Sequence, residues 1–162
     1  VIGTLVGRLG LPVPALRILV TRDRGSGRPR ERPVLALRTP DARYLVAARG
    51  VTGWARDLRA DGRLALRRGR RAEEFRAVEV DGAERDAALA AYVRRFGWLT
   101  GRFFDLPRRP RPEDARRVAP RHPTFRLMPR GGSEIARREQ RCAIGRGGRP
   151  APERFDEGAG GR

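Results

Sequence analysis

Apolar residues along this chain follow two rhythms. In the first half they come in short stretches set between Gly, Pro and Asp clusters, several with the alternation that turns every second side chain to one face of a strand. Residues 16–21 and 33–38 are the first two such stretches, joined by the turn-rich segment 23–30. Pro40 and Asp41 turn the chain into a third over 43–48, and Gly50 and Gly53 break it again. Trp54 and Leu58 then fall four apart, as on one face of a short helix that stops before Gly62. A fourth strand spans 63–68, a hairpin turns at 69–72, and a fifth strand covers 74–80 with Phe75, Ala77 and Glu79 on one face. The expected order to this point is an antiparallel meander with one inserted helix.

The second half changes period. Asp81 can cap a helix over 83–96, on which Leu89, Tyr92, Val93 and Phe96 form the apolar face. A separate helical stretch over 98–106 ends at Pro107, residues 113–118 add a turn, and 122–128 supply a last strand through Phe125 and Leu127. Six short strands with the helices late in the chain predict an α+β fold, a small six-stranded antiparallel barrel with helices packed outside. Residues 131–162 are glycine-rich and hold only Ile135, Ile144 and Phe155 as large apolar side chains, without period. They read as a flexible Gly/Arg-rich tail to a domain of residues 16–130, with 1–15 as a lead-in whose natural start is left open.

Composition narrows the chemistry. A chain of 162 residues is one domain's length, able to bury roughly 70% of its unfolded surface. All 37 cations are arginine, against 19 acids, for a net charge of +18. The first 130 residues hold 30 of those arginines and 14 of the acids, so the charge belongs to the body. The absence of lysine is the mark of a GC-rich coding bias, which discounts raw charge as a pointer to a partner. The longest strictly apolar run is the seven residues 87–93, far short of the ~18 that span a bilayer. No membrane span is expected; peripheral membrane contact and oligomeric state stay open. A single cysteine, Cys142, and a single histidine, His122, build neither an internal disulfide nor a zinc site, and the cytosol is the expected compartment.

The segment Arg22-Asp23-Arg24-Gly25-Ser26-Gly27-Arg28-Pro29-Arg30 carries the sharpest chemical signal. Glycines 25 and 27 would let backbone N–H groups converge at positive φ, Ser26 adds a hydroxyl, and four arginines offer bidentate contacts to phosphate or carboxylate oxygens. Together they make an anion cradle; a solvated arginine-rich hairpin loop is the plain alternative. The Gly-Lys-Ser/Thr end of a Walker loop is missing, and a dinucleotide fingerprint would open a helix instead of joining two strands.

In its context, from Leu19 to Pro33, this loop resembles that of the deazaflavin-dependent nitroreductase family, usually close to Leu-Thr-Thr-x-Gly-Arg-Lys-Ser-Gly-Arg-x-Arg-x-x-Pro. Four later segments are similar to that family in the same order, beginning at Tyr44, Trp54, Glu74 and Ala119. The resemblance implies a split β-barrel binding the 8-hydroxy-5-deazaflavin coenzyme (coenzyme F-420) and passing hydride from its reduced form to an electron-poor nitro compound, quinone or enone. Because that coenzyme carries a phosphate and an oligoglutamate tail, an arginine-rich loop is its physical complement. The resemblance places Arg24, Ser26, Gly27, Arg28 and Arg30 at the phosphate and tail, Ala47, Ala48 and Gly50 beside the ring system, and Trp54 as a helix anchor that can also pack on the ring. No catalytic residue is assigned. Asp23, Gly25 and Asp57 stand where that family usually has glycine, lysine and asparagine.

The competing class is a basic nucleic-acid-binding module without catalysis. Such a module interleaves exposed aromatics with its cations to stack bases. Phe75, Tyr92, Phe96, Phe103 and Phe104 sit instead at positions that read as core. A small-molecule substrate is therefore the expected partner, and nucleic acid is not.

Overall fold

The computed structural model describes residues 14–130; the expectations for the lead-in before residue 14 and for the tail lie outside them. The elements are β1 (Leu16–Arg22), β2 (Pro29–Arg38), β3 (Arg43–Val46), α1 (Gly53–Asp61), β4 (Arg63–Arg68), β5 (Arg71–Val80), α2 (Gly82–Thr100), α3 (Pro112–Arg116) and β6 (Thr124–Pro129). Six strands close into an antiparallel barrel in the order β1-β2-β3-β6-β5-β4, with helices outside, as the pattern predicts.

The neighbours are not those of a plain meander. α1 carries the chain away from β3, so that β4 pairs with β1 and β3 with β6. Closure is the physical reason: each of these pairings satisfies a strand edge that a linear meander would leave open. β2 and β5 also begin earlier than expected, through the pairs Arg22↔Pro29 and Arg68↔Arg71. Their arginine-rich ends have loop-like composition, but ladder hydrogen bonds use only the backbone. β3 stops two residues short of its predicted end because the chain turns there, with Ala48 N–H donating to Val46 O at 3.0 Å and Gly50 N–H to Ala47 O at 2.9 Å.

The helix expected over 83–96 runs on through Gly97 to Thr100 as α2; of the separate stretch expected over 98–106, Gly101–Phe103 form a 3-10 turn and 104–106 are not helical. A mid-helix glycine costs about 1 kcal/mol relative to alanine, which the buried Tyr92, Val93, Phe96 and Thr100 around it outweigh through packing. Asp81 stands at the N-cap but its side chain makes no capping bond. α3 is fixed at its start by Pro112 and by the Asp114 carboxylate, which accepts the Arg111 N–H at 2.8 Å. No helix among the described residues is long and apolar enough to cross a membrane.

Two apolar cores result, and the period of two along β3 assigns residues to each. Leu45 and Ala47 join Leu19, Leu64, Leu66, Phe75 and Phe125 inside the barrel, where α1 adds Ala55 and Leu58. Tyr44, Val46 and Ala48 face the other way, onto Leu89, Tyr92, Val93 and Phe96 of α2. Both faces of β3 are thus covered, which is why it reads as a continuous apolar run. The end of β3 lies on the seam between the cores.

Candidate functional site

The anion cradle folds as a tight turn, but the Ser26, Arg24 and Arg30 donors are already engaged. Gly27 alone of the two glycines takes positive φ, at 67°, and donates its N–H to Asp23 O at 2.8 Å; the expectation of positive φ at Gly25 is not met. Asp23 Oδ1 accepts both the N–H and the hydroxyl of Ser26 at 2.8 Å, while its Oδ2 meets Arg30 Nη2 at 2.9 Å. These donors, the Ser26 N–H first and its hydroxyl second, hold the Asp23 carboxyl below the usual carboxylate range. Arg24 reaches α1 instead. Its N–H and its guanidinium both donate to Asp57 Oδ1, at 3.3 and 3.2 Å, and that carboxylate is only 2% exposed. Arg28 is exposed and makes no side-chain ion pair among the described residues.

A cavity of about 320 Å³ opens at the seam. Ala47, Ala48 and Trp54 wall it, together with Arg32 to Leu35 of β2, Thr52 and Gly53 at the start of α1, and Tyr92 and Thr100 of α2. Trp54 also packs on Phe125 at 5.8 Å between ring centroids, so it is an anchor and a wall at once. Thr52 is the N-cap of α1, yet its buried hydroxyl has no hydrogen-bond partner, and no acidic residue occupies the first turn. A helix start presents N–H groups without intrahelical partners. The cavity thus carries free donors at one end, while burial keeps the Tyr92 phenol protonated by raising its pKa far above its ordinary value.

A second, wider cavity of about 680 Å³ lies beside it, lined by Gly50, Phe103, Phe104, His122 and the arginines 49, 102 and 121 among others. Ala48 and Arg49 line both. Gly50 turns the chain here at φ 81°, and a Cβ would stand 3.5 Å from Arg121 O. His122 is 6% exposed, tilted against Phe104 with ring centroids 4.6 Å apart, with Nδ1 3.3 Å from Ala47 O. A carbonyl only accepts, so Nδ1 carries the proton in that contact. Burial pushes the imidazole pKa below its ordinary 6.5 and the ring is neutral at pH 7.

The predicted site residues therefore fall into two groups. Ala47, Ala48, Gly50 and Trp54 come together around the cavities; Arg24, Ser26, Gly27, Arg28 and Arg30 form a loop that lines neither. Sequence reasoning gave no role to Thr52, Arg49 or Arg32. Arg32 was legible, since Arg30 and Arg32 sit two apart on β2 and share a face, about 6.6 Å apart along the strand. Thr52, just before a helical period, was legible as an N-cap. Arg49 had no signal beyond its neighbours.

A family model described as F420H(2)-dependent quinone reductase matches residues 2–96. No curated protein matches. Among solved structures, the uncharacterised Atu2129 of Agrobacterium tumefaciens is 22% identical with a TM-score of 0.55, over 72% of this chain and 49% of that one. HutZ, a heme storage protein from Vibrio cholerae, is 16% identical with a TM-score of 0.52, over 73% and 83%. An F420-H2 dependent reductase, FDR-A, is 16% identical with a TM-score of 0.50, over 70% and 94%. These likenesses establish the shared split-barrel fold.

Proposed function

Because the chain belongs to the F420H(2)-dependent quinone reductase family, and so is an oxidoreductase using the reduced deazaflavin coenzyme, we propose that the 320 Å³ cavity takes the coenzyme's ring and the 680 Å³ cavity a quinone. One observation carries this reading: the two cavities share a wall at Ala48 and Arg49. Molecules held on either side of so small a side chain as Ala48 are within reach of each other, and positioning is the main thing a protein contributes to cofactor chemistry. The residues of the smaller cavity suit the group. Its volume falls in the range of ligand sites, its walls are flat and apolar at Ala47, Ala48 and Trp54, and the unpartnered Thr52 hydroxyl with the α1 start offers donors to a polar ring edge.

When bound in reduced form, the coenzyme supplies the hydride. The chain's own residues do the rest. Trp54 and the alanines exclude water from one face, and Arg32 pairs with anionic groups leaving the cavity, after which Arg30 is the next cation along β2. His122, by donating Nδ1–H to Ala47 O, ties the approach to β6 to the end of β3 and so fixes the shared wall; it is a positioning residue. Arg49, Arg102 and Arg121 rim the wider cavity and can donate to the oxygens of a quinone as negative charge develops on them.

The test is to titrate the purified protein with the deazaflavin coenzyme and with flavin mononucleotide, then to mix the reduced-coenzyme complex with a naphthoquinone. Saturable binding of the deazaflavin and its quinone-dependent reoxidation are expected. Binding of flavin mononucleotide alone, or bound reduced coenzyme inert to the quinone, would overturn the reading.

A further inference from the structure

The loop between β1 and β2 has the composition of an anion cradle, yet Ser26, Arg24 and Arg30 already face anions that the chain itself supplies. Asp23 takes the Ser26 N–H, the Ser26 hydroxyl and the Arg30 guanidinium; Asp57 takes the Arg24 N–H and guanidinium. Glu31, next in line, is bound bidentately by Arg67 at 2.8 and 2.6 Å. Of the five arginines between 22 and 32, Arg24 and Arg30 are paired with carboxylates; Arg22, Arg28 and Arg32 have no side-chain partner among the described residues.

We infer that Asp23 and Asp57 are specificity-determining residues that act as the loop's built-in anions, so that this chain gains little affinity from added negative charge on the coenzyme's tail. This rests on the reading of the seam cavity as the ring site. An anion added to an unsatisfied cradle gains every donor outright. Here it must displace Asp23 from the Ser26 donors, while at Arg24 and Arg30 it shares a guanidinium whose charge a carboxylate already offsets, so the net gain is smaller. The displaced carboxylate stays within a few ångströms and repels the newcomer. Asp57 is the harder of the two to displace, because its burial on α1 leaves it nowhere to go. Affinity for the coenzyme therefore comes mainly from the ring and from Arg32, and each further glutamate on the tail adds little.

Asp23→Asn and Asp57→Asn test this without large structural change, since an amide oxygen can still accept the Ser26 or Arg24 N–H. Dissociation constants are measured by fluorescence titration for three probes: the coenzyme with a long oligoglutamate tail, the coenzyme with one glutamate, and the deazaflavin core lacking phosphate and tail. In the wild type the two tailed forms should bind within about threefold of each other. Asp23→Asn should tighten the long-tailed form by about tenfold and leave the core within twofold. Asp57→Asn should act in the same direction; if it fails to fold, Asp23→Asn decides alone. A folded Asp23→Asn protein that binds the long-tailed form no tighter than wild type overturns the inference while leaving the ring site standing. Failure of the wild type to bind even the core overturns the ring site and takes this inference with it.

Discussion

The β1–β2 loop and the seam cavity contrast in a way that charge alone conceals. The loop has most of the local cations and most of the motif, but its Ser26, Arg24 and Arg30 donors end on Asp23 and Asp57. The seam has few charged groups, yet its Thr52 hydroxyl is buried without a partner and Arg32 on its wall has no carboxylate among the described residues. What makes a polar group available to a ligand is the absence of an internal partner, and abundance does not supply that.

The contrast breaks most severely through the packing beneath the seam. Phe125 is 1% exposed and supports Trp54, so Phe125→Ala should cost about 3–5 kcal/mol of stability in urea denaturation. A loss under about 1 kcal/mol would mean the seam is not held by the barrel core. For binding, Arg32→Ala should weaken coenzyme affinity by about 1.5–3 kcal/mol, while Arg30→Ala, which removes a donor already paired, should cost less than about 1 kcal/mol. The reverse ranking would make the loop the principal anion site.

Within the loop, stability separates the paired arginine from the unpaired one. Arg24→Ala leaves the buried Asp57 carboxylate without its cation and should destabilise the fold by about 1–3 kcal/mol. Arg28→Ala, exposed and unpaired, should stay within about 0.5 kcal/mol of wild type. Equal melting temperatures for the two variants would contradict the internal-anion account of the loop.

The smallest effect concerns pH. His122 is neutral in the fold with a pKa below 6.5, so the unfolded chain binds its proton first as pH falls. Stability should therefore decline as pH drops below about 6.5 and level off, for this group, below the native pKa. His122→Gln should flatten that part of the profile; an unchanged profile would place the titration elsewhere.

How far the sequence carried follows from which forces each feature uses. The barrel was legible because burial imposes its period on side chains: Leu45 and Ala47 alternate with Tyr44, Val46 and Ala48 whichever strands lie beside them. The pairing of β4 with β1 was not, since closure is a property of the whole sheet. Ala47, Ala48 and Trp54 were found through resemblance to a known family and meet at one cavity. The engagement of Arg24 by Asp57 joins residues 33 apart, a distance no local motif spans.

The central claim is that the deazaflavin ring lies against Trp54, and the chain's own tryptophans allow a direct reading. There are two, and Trp98 is 65% exposed on α2, so Trp98→Phe leaves Trp54 as the only indole at little structural cost. In that variant, titration with the coenzyme should quench Trp54 emission to saturation, at the same dissociation constant that the coenzyme's own fluorescence reports. Saturable coenzyme binding with the Trp54 emission unchanged would place the ring elsewhere and contradict the account.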